Sequence, residues 1–247
     1  MKKYGLIGKS LSHSFSKKYF NSFFSKNNID AFYDEFEISE IEKLTKVLNT
    51  NDLFGLNVTI PYKESIIPFL DDLSIEAKDI GAVNTIKIIN GKRIGYNTDA
   101  FGFHQSIKTF LTKYHDKAII FGTGGASKAV AHVLKKIGIE VFLISRTPDH
   151  NFNQFSYDQV NSNMIKSCKL IINTTPLGMY PEIESCISLD WNSVTKAHFF
   201  VDLIYNPKET LFLNRAKKNN AITLNGYNML LLQAKKSWEK WSIIQCL

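Results

Sequence analysis

Short apolar runs alternate along this chain with longer stretches in which apolar residues recur every three or four positions. KKYGLIG (2–8), DAFYDEFEI (30–38) and LFGLNVTI (53–60) read as strands. Between them HSFSKKYFNSFFSKNNI (13–29) and SEIEKLTKVLNT (39–50) carry helical spacing, so the chain opens as a strand-helix-strand-helix-strand unit. AVNTIKIINGKRIGYNTD (82–99) alternates about Asn90-Gly91, a dipeptide suited to a tight hairpin turn. A helical stretch, AFGFHQSIKTFLTKY (100–114), leads into KAIIFGTGGASKAVAHVLKKIGIEVFLISR (117–146), which reads as strand, glycine turn, helix and strand. CKLIINTT (168–175), HFFVDLIY (198–205) and AITLN (221–225) are further strands.

The closing GYNMLLLQAKKSWEKW (226–241) is an amphipathic helix with an apolar stripe through Tyr227, Leu230, Leu231, Ala234, Trp238 and Trp241. Gln233 lies about 100° around from Ala234 at ideal helical geometry and so borders the buried face. Strands alternating with helices predict an α/β protein with two units in succession, each a mostly parallel sheet covered by helices. The boundary is expected near residue 99, where the strand-helix rhythm restarts after the hairpin.

Composition narrows the function classes. With 247 residues, 44% hydrophobic and 21% charged, the chain is ordinary for a soluble α/β protein of two domains. No apolar run approaches the roughly 20 residues of a membrane span, and the amino-terminal apolar stretch is too short for a signal peptide, so a cytoplasmic protein is expected. Cys168, Cys186 and Cys246 are odd in number and scattered, which reads as reduced thiols with neither a disulfide framework nor a zinc site; no metal is expected. The net charge of +7 comes from Lys and Arg spread along the chain without a basic run, so a solvated surface is expected in place of nucleic-acid binding.

In IIFGTGGASKAV, Gly122, Gly124 and Gly125 follow an apolar strand and open a helix. Such a turn places bare backbone amides against a pyrophosphate at the positive helix end. Ser127 stands where the third glycine of the dinucleotide fingerprint usually sits. The next strand ends in Ser145, Arg146 and Thr147, with no acidic residue to hold a ribose 2′-hydroxyl and repel a 2′-phosphate. Arg146 can pair with that phosphate and stack on adenine, so NADP is favoured over NAD.

LNVTIPYK raises a separate question, because an apolar strand exits through Pro61 to a lysine. Pro61 suits the first turn of a helix, and the strand then delivers Lys63 to the carboxyl end of the sheet, where open α/β sheets bind ligands. A lysine there can exchange a proton with a substrate, and Asp99, beyond the hairpin, is a carboxylate able to hold it. Taken alone, Lys63 is an ordinary solvated lysine, and Asp99, Ser12 and Ser14 are helix caps. Asn84 alone could satisfy a turn, and Tyr205 could be a core aromatic.

GKSLSHSFS, NVTIPYK, GAVNT, NTD, GTGGASKAV, SRT, NTTPLGM, DLIYNPKET and GYNMLLLQ together resemble, in order and across nearly the whole chain, the signature blocks of shikimate dehydrogenase. That resemblance implies an NADP-dependent oxidoreductase interconverting 3-dehydroshikimate and shikimate in the chorismate route to aromatic amino acids. It implies a discontinuous catalytic domain, 1–98 plus 227–247, around a Rossmann-like doubly wound NADP domain, 99–226. Lys63 and Asp99 match the catalytic pair, which also touches ring hydroxyls; Ser12 and Ser14 match the carboxylate-binding hydroxyls; Thr59, Asn84, Tyr205 and Gln233 match the remaining substrate contacts. Gly122, Thr123, Gly124, Gly125, Ala126, Ser145, Arg146, Thr147, Leu203 and Gly226 fall where the family holds the dinucleotide. The expected partner is the small-molecule substrate, with no nucleic acid or membrane, and the expected assembly is a monomer or homodimer.

The chain departs from the family pattern at Lys9 and Lys17, which replace prolines, at Ser145, where asparagine is frequent, and at His150, where a second basic residue often grips the 2′-phosphate. Two alternatives accompany the main expectation. A dual quinate and shikimate dehydrogenase using NAD would carry an acidic residue at position 145 or 146. A noncatalytic NADP-binding regulator would be marked by loss of Lys63 or Asp99, and both are present.

Overall fold

The computed structural model describes residues 1–11, 14–149 and 153–242. The chain divides into two compact units, Met1–Thr98 with Gln233–Leu247, and Asp99–Leu232.

The first unit opens with β1 (Lys2–Gly8), α1 (Phe15–Lys26), β2 (Ala31–Glu37), α2 (Leu44–Leu48) and β3 (Leu53–Val58). It continues through β4 (Asp72–Leu73), α3 (Ile75–Ile80) and the hairpin of β5 (Thr85–Ile89) and β6 (Lys92–Tyr96). Asn90 and Gly91 both take positive φ, 51° and 75°, as the two-residue turn requires. The strands form one sheet in the order β2-β1-β3-β5-β6-β4. β1 pairs parallel with β2 and β3, whereas β5 runs antiparallel to both β3 and β6.

Side-chain alternation sends Ile7, Leu56, Val58 and Ile86 into one core, and Tyr4 and Leu6 into a second core on the opposite face. That second core holds Phe20 and Phe24 of α1 and closes with Ala234 and Trp241. Its rings interlock, with Tyr4 and Trp241 centroids 4.9 Å apart and Phe20 and Tyr33 4.6 Å apart. Each such pair contributes about 0.5–1.5 kcal/mol beyond area burial. The indole Nε1 of Trp241 donates to the Ile86 carbonyl at 2.8 Å, satisfying the one polar atom of a buried ring.

The second unit holds α4 (Asp99–Ile107), β7 (Lys117–Phe121), α5 (Gly125–Lys136), β8 (Glu140–Ile144), β9 (Gln154–Phe155), α6 (Ser162–Ser167) and β10 (Leu170–Asn173). β11 (Phe199–Asp202), α7 (Leu211–Lys218) and β12 (Ile222–Leu224) complete its sheet. The helix α8 (Tyr227–Ser242) then follows, crossing from the second unit to the first at Gln233. The sheet order is β12-β11-β10-β7-β8-β9, with all the described pairs parallel. This is the doubly wound order of a dinucleotide-binding sheet. β7 and β10 are buried on both faces, as their unbroken apolar runs AIIF and LII require.

The α/β class with two mostly parallel sheets is the one the sequence pattern predicts. The helices α4 and α8 differ from expectation. α4 stops at Ile107 instead of running to Tyr114, because the Phe110 N–H closes a turn on Ile107 and the His115 ring nitrogen accepts from the Thr112 N–H at 2.9 Å. The stripe of α8 begins later than expected: Tyr227 is exposed, while Met229, Ala234, Ser237 and Trp241 are buried.

Gly55, in β3, lies under the Trp241 indole, where an added Cβ would collide with the ring. Gly55→Ala is expected to lower stability by roughly 1–3 kcal/mol, the usual range for overpacking. Urea denaturation with an unchanged m-value reads this; a variant as stable as the parent would contradict the packing described.

Candidate active site

The exit of β3 and the entry to β5 build the first polar cluster. Because β5 is antiparallel to β3, residues just before β5 lie beside residues at the end of β3. The Thr59 N–H donates to Ile7, and the Val58 N–H to the Asn84 carbonyl, both at 2.9 Å. Beyond Thr59 the chain does not enter the helix expected at Pro61: Ile60 to Ile66 is a run of turns, and the Ile60–Pro61 peptide is cis. The Lys63 carbonyl, which a helix would give to Ile67, accepts instead from the Val83 N–H at 2.7 Å, while Ile67 turns back to Glu64. Lys63 is therefore half-buried, with its backbone tied next to Asn84, and the Tyr62 hydroxyl anchors the same turn to the Ile38 carbonyl at 2.6 Å.

Asn84 is buried and its carboxamide is used at both ends. Oδ1 accepts from the Thr98 N–H at 2.7 Å, and Nδ2 donates to Thr98 Oγ1 at 2.9 Å and to Gln233 Oε1 at 3.4 Å. Of the predicted substrate residues, the structure thus brings Asn84 and Gln233 together, with the Lys63 backbone bonded to the residue beside Asn84. Ser14 is the N-cap of α1, its Oγ accepting from the Ser16 N–H at 3.2 Å. Ser12 and His150 lie outside the described residues.

In the second unit Asp99 is the first residue of α4 and is buried, where the positive helix end favours a carboxylate. Tyr205 is half-buried in the segment after β11. Gly122 follows β7 with φ 110°, a conformation that favours glycine, and its absent side chain lets Thr174 close in. Thr123 leads to Gly124, the N-cap of the twelve-residue α5, with open space where a Cβ would stand. Gly125 and Ala126 form the first turn of that helix. Ser127 is buried and donates to the Gly122 carbonyl at 2.6 Å, so it braces the loop through its side chain where a third glycine would only permit close packing.

Ser145 follows β8, buried, and its Oγ accepts from the Thr147 N–H at 3.2 Å, while Arg146 and Thr147 are exposed. Burial pushes the Tyr157 hydroxyl up, and the Arg146 charge pulls it partly back. Gly226 N–H donates to the Ile204 carbonyl at 3.0 Å, and a Cβ at Gly226 would run into the Leu203 backbone. A glycine cradle at a helix amino end, an exposed arginine and no acid at positions 145–147 fit a 2′-phosphorylated dinucleotide.

Sequence reasoning missed Asp202. This fully buried carboxylate closes β11 and accepts from Thr210 Oγ1 at 2.6 Å, Asn173 Nδ2 at 3.0 Å and the Ile204 N–H at 3.1 Å. It fixes the backbone from which Leu203 and Tyr205 project. The signal was present in HFFVDLIY and LIIN, as one polar residue at the end of each apolar run.

Known proteins resemble this chain over nearly its whole length. A family model described as shikimate dehydrogenase substrate binding domain matches residues 6–86. A shikimate dehydrogenase (NADP(+)) from Clostridium beijerinckii is 39% identical, covering 99% of this chain and 93% of its own. The crystal structure of shikimate dehydrogenase from Aquifex aeolicus superposes with a TM-score of 0.88 at 36% identity, covering 98% of this chain and 92% of that one. The Thermus thermophilus enzyme in complex with NADP(H) and shikimate gives 0.86 at 29% identity, covering 98% and 94%.

Desolvation pushes the Asp202 carboxyl up to about 6 from an ordinary 3.8, against the three hydrogen bonds that hold it down. Between those values the folded state binds more protons than the unfolded state, so this group's contribution falls as pH rises. Asp202→Asn removes the titration. The stability of the parent relative to the variant is expected to fall by up to about 3 kcal/mol between pH 4 and pH 7, at 1.36 kcal/mol per pKa unit. Urea denaturation across that range checks it, and a difference that stays level or grows with pH would contradict it.

Proposed function

The chain belongs to the shikimate dehydrogenase family, and from that premise we propose that it catalyses the reversible NADPH-dependent reduction of 3-dehydroshikimate to shikimate. The observation that carries the site assignment is the set of amide and hydroxyl groups around Asn84 and Gln233, joined through Val83 to the Lys63 turn. A substrate with one carboxylate and a ring of hydroxyls calls for such donors and acceptors, which fix orientation more than they supply affinity.

Ser12 and Ser14 hold the substrate carboxylate with their hydroxyl protons. Thr59, Asn84, Tyr205 and Gln233 orient the ring. Lys63 gives its proton to the carbonyl oxygen as that oxygen becomes a hydroxyl, and Asp99 pairs with the ammonium and accepts from a neighbouring ring hydroxyl. NADPH, when bound, supplies the hydride. The amides of Gly122 to Ala126 cradle its pyrophosphate, Ser145, Arg146 and Thr147 take the 2′-phosphate, and Leu203 and Gly226 offer backbone close to the nicotinamide end. The quinate and NAD alternative would place an acid where Ser145 and Arg146 stand, and no observation favours it. Among the described residues no helix is long and apolar enough to cross a membrane. The reading includes a cytoplasmic location, small-molecule partners and a monomeric or homodimeric state.

Lys63→Ala and Asp99→Asn are each expected to lower turnover about a hundredfold or more while leaving thermal unfolding close to the parent's. Turnover near the parent's in either variant would remove that residue from the reaction. Arg146→Ala is expected to raise the KM for NADP by about tenfold or more and to leave that for NAD almost unchanged, since only the former carries the 2′-phosphate. Equal changes would contradict the phosphate role.

A further inference from the structure

The face of the first sheet covered by α8 is aromatic through Tyr4, Phe20, Tyr33 and Trp241, yet a compact polar knot sits within it. At its centre is Ser237, fully buried on α8, one turn after Gln233. Its Oγ lies 2.9 Å from Asn57 Nδ2, 2.8 Å from Thr85 Oγ1, 3.1 Å from Thr98 Oγ1 and 3.0 Å from the Gln233 carbonyl. Asn57 belongs to β3 and Thr85 to β5, so one hydroxyl joins two strands, the segment after the hairpin and the last helix. A position that served packing alone would be satisfied by alanine, as Ala234 is one turn earlier on the same buried stripe. A buried hydroxyl is costly unless it is bonded, and this one is bonded beyond the needs of the helix.

We propose that Ser237 is a positioning residue for the substrate: by fixing the hydroxyl directions of Thr85 and Thr98 it locks the carboxamides of Asn84 and Gln233 in the orientation that receives the ring hydroxyls. This rests on the substrate-binding role given to Asn84 and Gln233 above. A serine hydroxyl has one proton and two lone pairs. With its proton on the Gln233 carbonyl, it accepts from the Asn57 amide and from one threonine hydroxyl. That threonine's proton is then turned away from Asn84 Oδ1, which lies 3.1 Å from both Thr85 Oγ1 and Thr98 Oγ1 and already accepts the Thr98 N–H. Without the serine oxygen both threonine protons compete for Asn84 Oδ1, and Gln233 Oε1, 3.5 Å from Thr98 Oγ1, loses a directed neighbour. The carboxamides then sample several orientations, and the substrate bears the ordering cost on binding.

Steady-state kinetics of Ser237→Ala with shikimate and NADP tests this. The KM for shikimate is expected to rise about tenfold, the size of one well-placed hydrogen bond, with the KM for NADP and kcat within about twofold of the parent. An unchanged shikimate KM would overturn the proposal, as would equal rises in both KM values. Thr85→Val, which keeps side-chain shape, is expected to show the same selective rise and decides the matter if the alanine variant does not fold. Failure of both variants to fold would assign the knot to the scaffold alone and also overturn the proposal. An inactive parent would refute the functional reading and this inference together, whereas an active parent with an indifferent Ser237→Ala refutes the positioning role alone.

Discussion

Parallel strand pairing is the constraint from which the chemistry of this protein follows. Parallel strands need crossovers, so their carboxyl ends gather on one edge and leave loops there with polar groups to satisfy. In the second unit that edge carries Gly122 after β7, Ser145 after β8, Asn173 at the end of β10 and Asp202 at the end of β11. In the first unit it carries Thr59 after β3, and the antiparallel β5 adds its own beginning, so Asn84 arrives beside the strand exit. β6 then returns the chain to the same place, which sets Thr98 against Asn84.

The two edges are finished in different chemistry. That of the first unit is a lattice of neutral amides and hydroxyls, suited to reading a ring of hydroxyl groups one by one. That of the second unit is mostly backbone: a left-handed glycine, a helix amino end and a glycine pressed on the Leu203 carbonyl, with Arg146 as the exposed charge. Polyanionic ligands are held well by backbone amides and a fixed dipole, because these donors need no reorganisation. Asp202 is the cost of that arrangement: a carboxylate buried among three donors, held out of water to fix the turn that follows β11.

How much of this could be read from the chain depends on the range of the physics involved. Local signals were legible: Asn90-Gly91 made its hairpin, GTGGAS made its strand-turn-helix, and the apolar runs became strands within a few residues of the expected limits. Signals that depend on partners distant in sequence were not. The helix expected after Pro61 fails because Val83, twenty residues further on, takes the Lys63 carbonyl. Ser237 and Asp202 resemble ordinary polar residues in sequence, and only the fold shows the first meeting Asn57, 180 residues away, and the second meeting Asn173. Ser127 is an intermediate case: its place in the glycine pattern was visible, and its hydrogen bond to Gly122 was not.

The proposed reaction is hydride transfer between NADPH and a ring ketone recognised by its hydroxyls and carboxylate. The most direct test is the initial rate of NADPH oxidation with 3-dehydroshikimate, set beside NADH with the same ketone and NADPH with 3-dehydroquinate. Rapid oxidation is expected in the first case and much lower kcat/KM in the other two. No oxidation of NADPH by 3-dehydroshikimate, or a preference for NADH with 3-dehydroquinate, would contradict the proposed reaction.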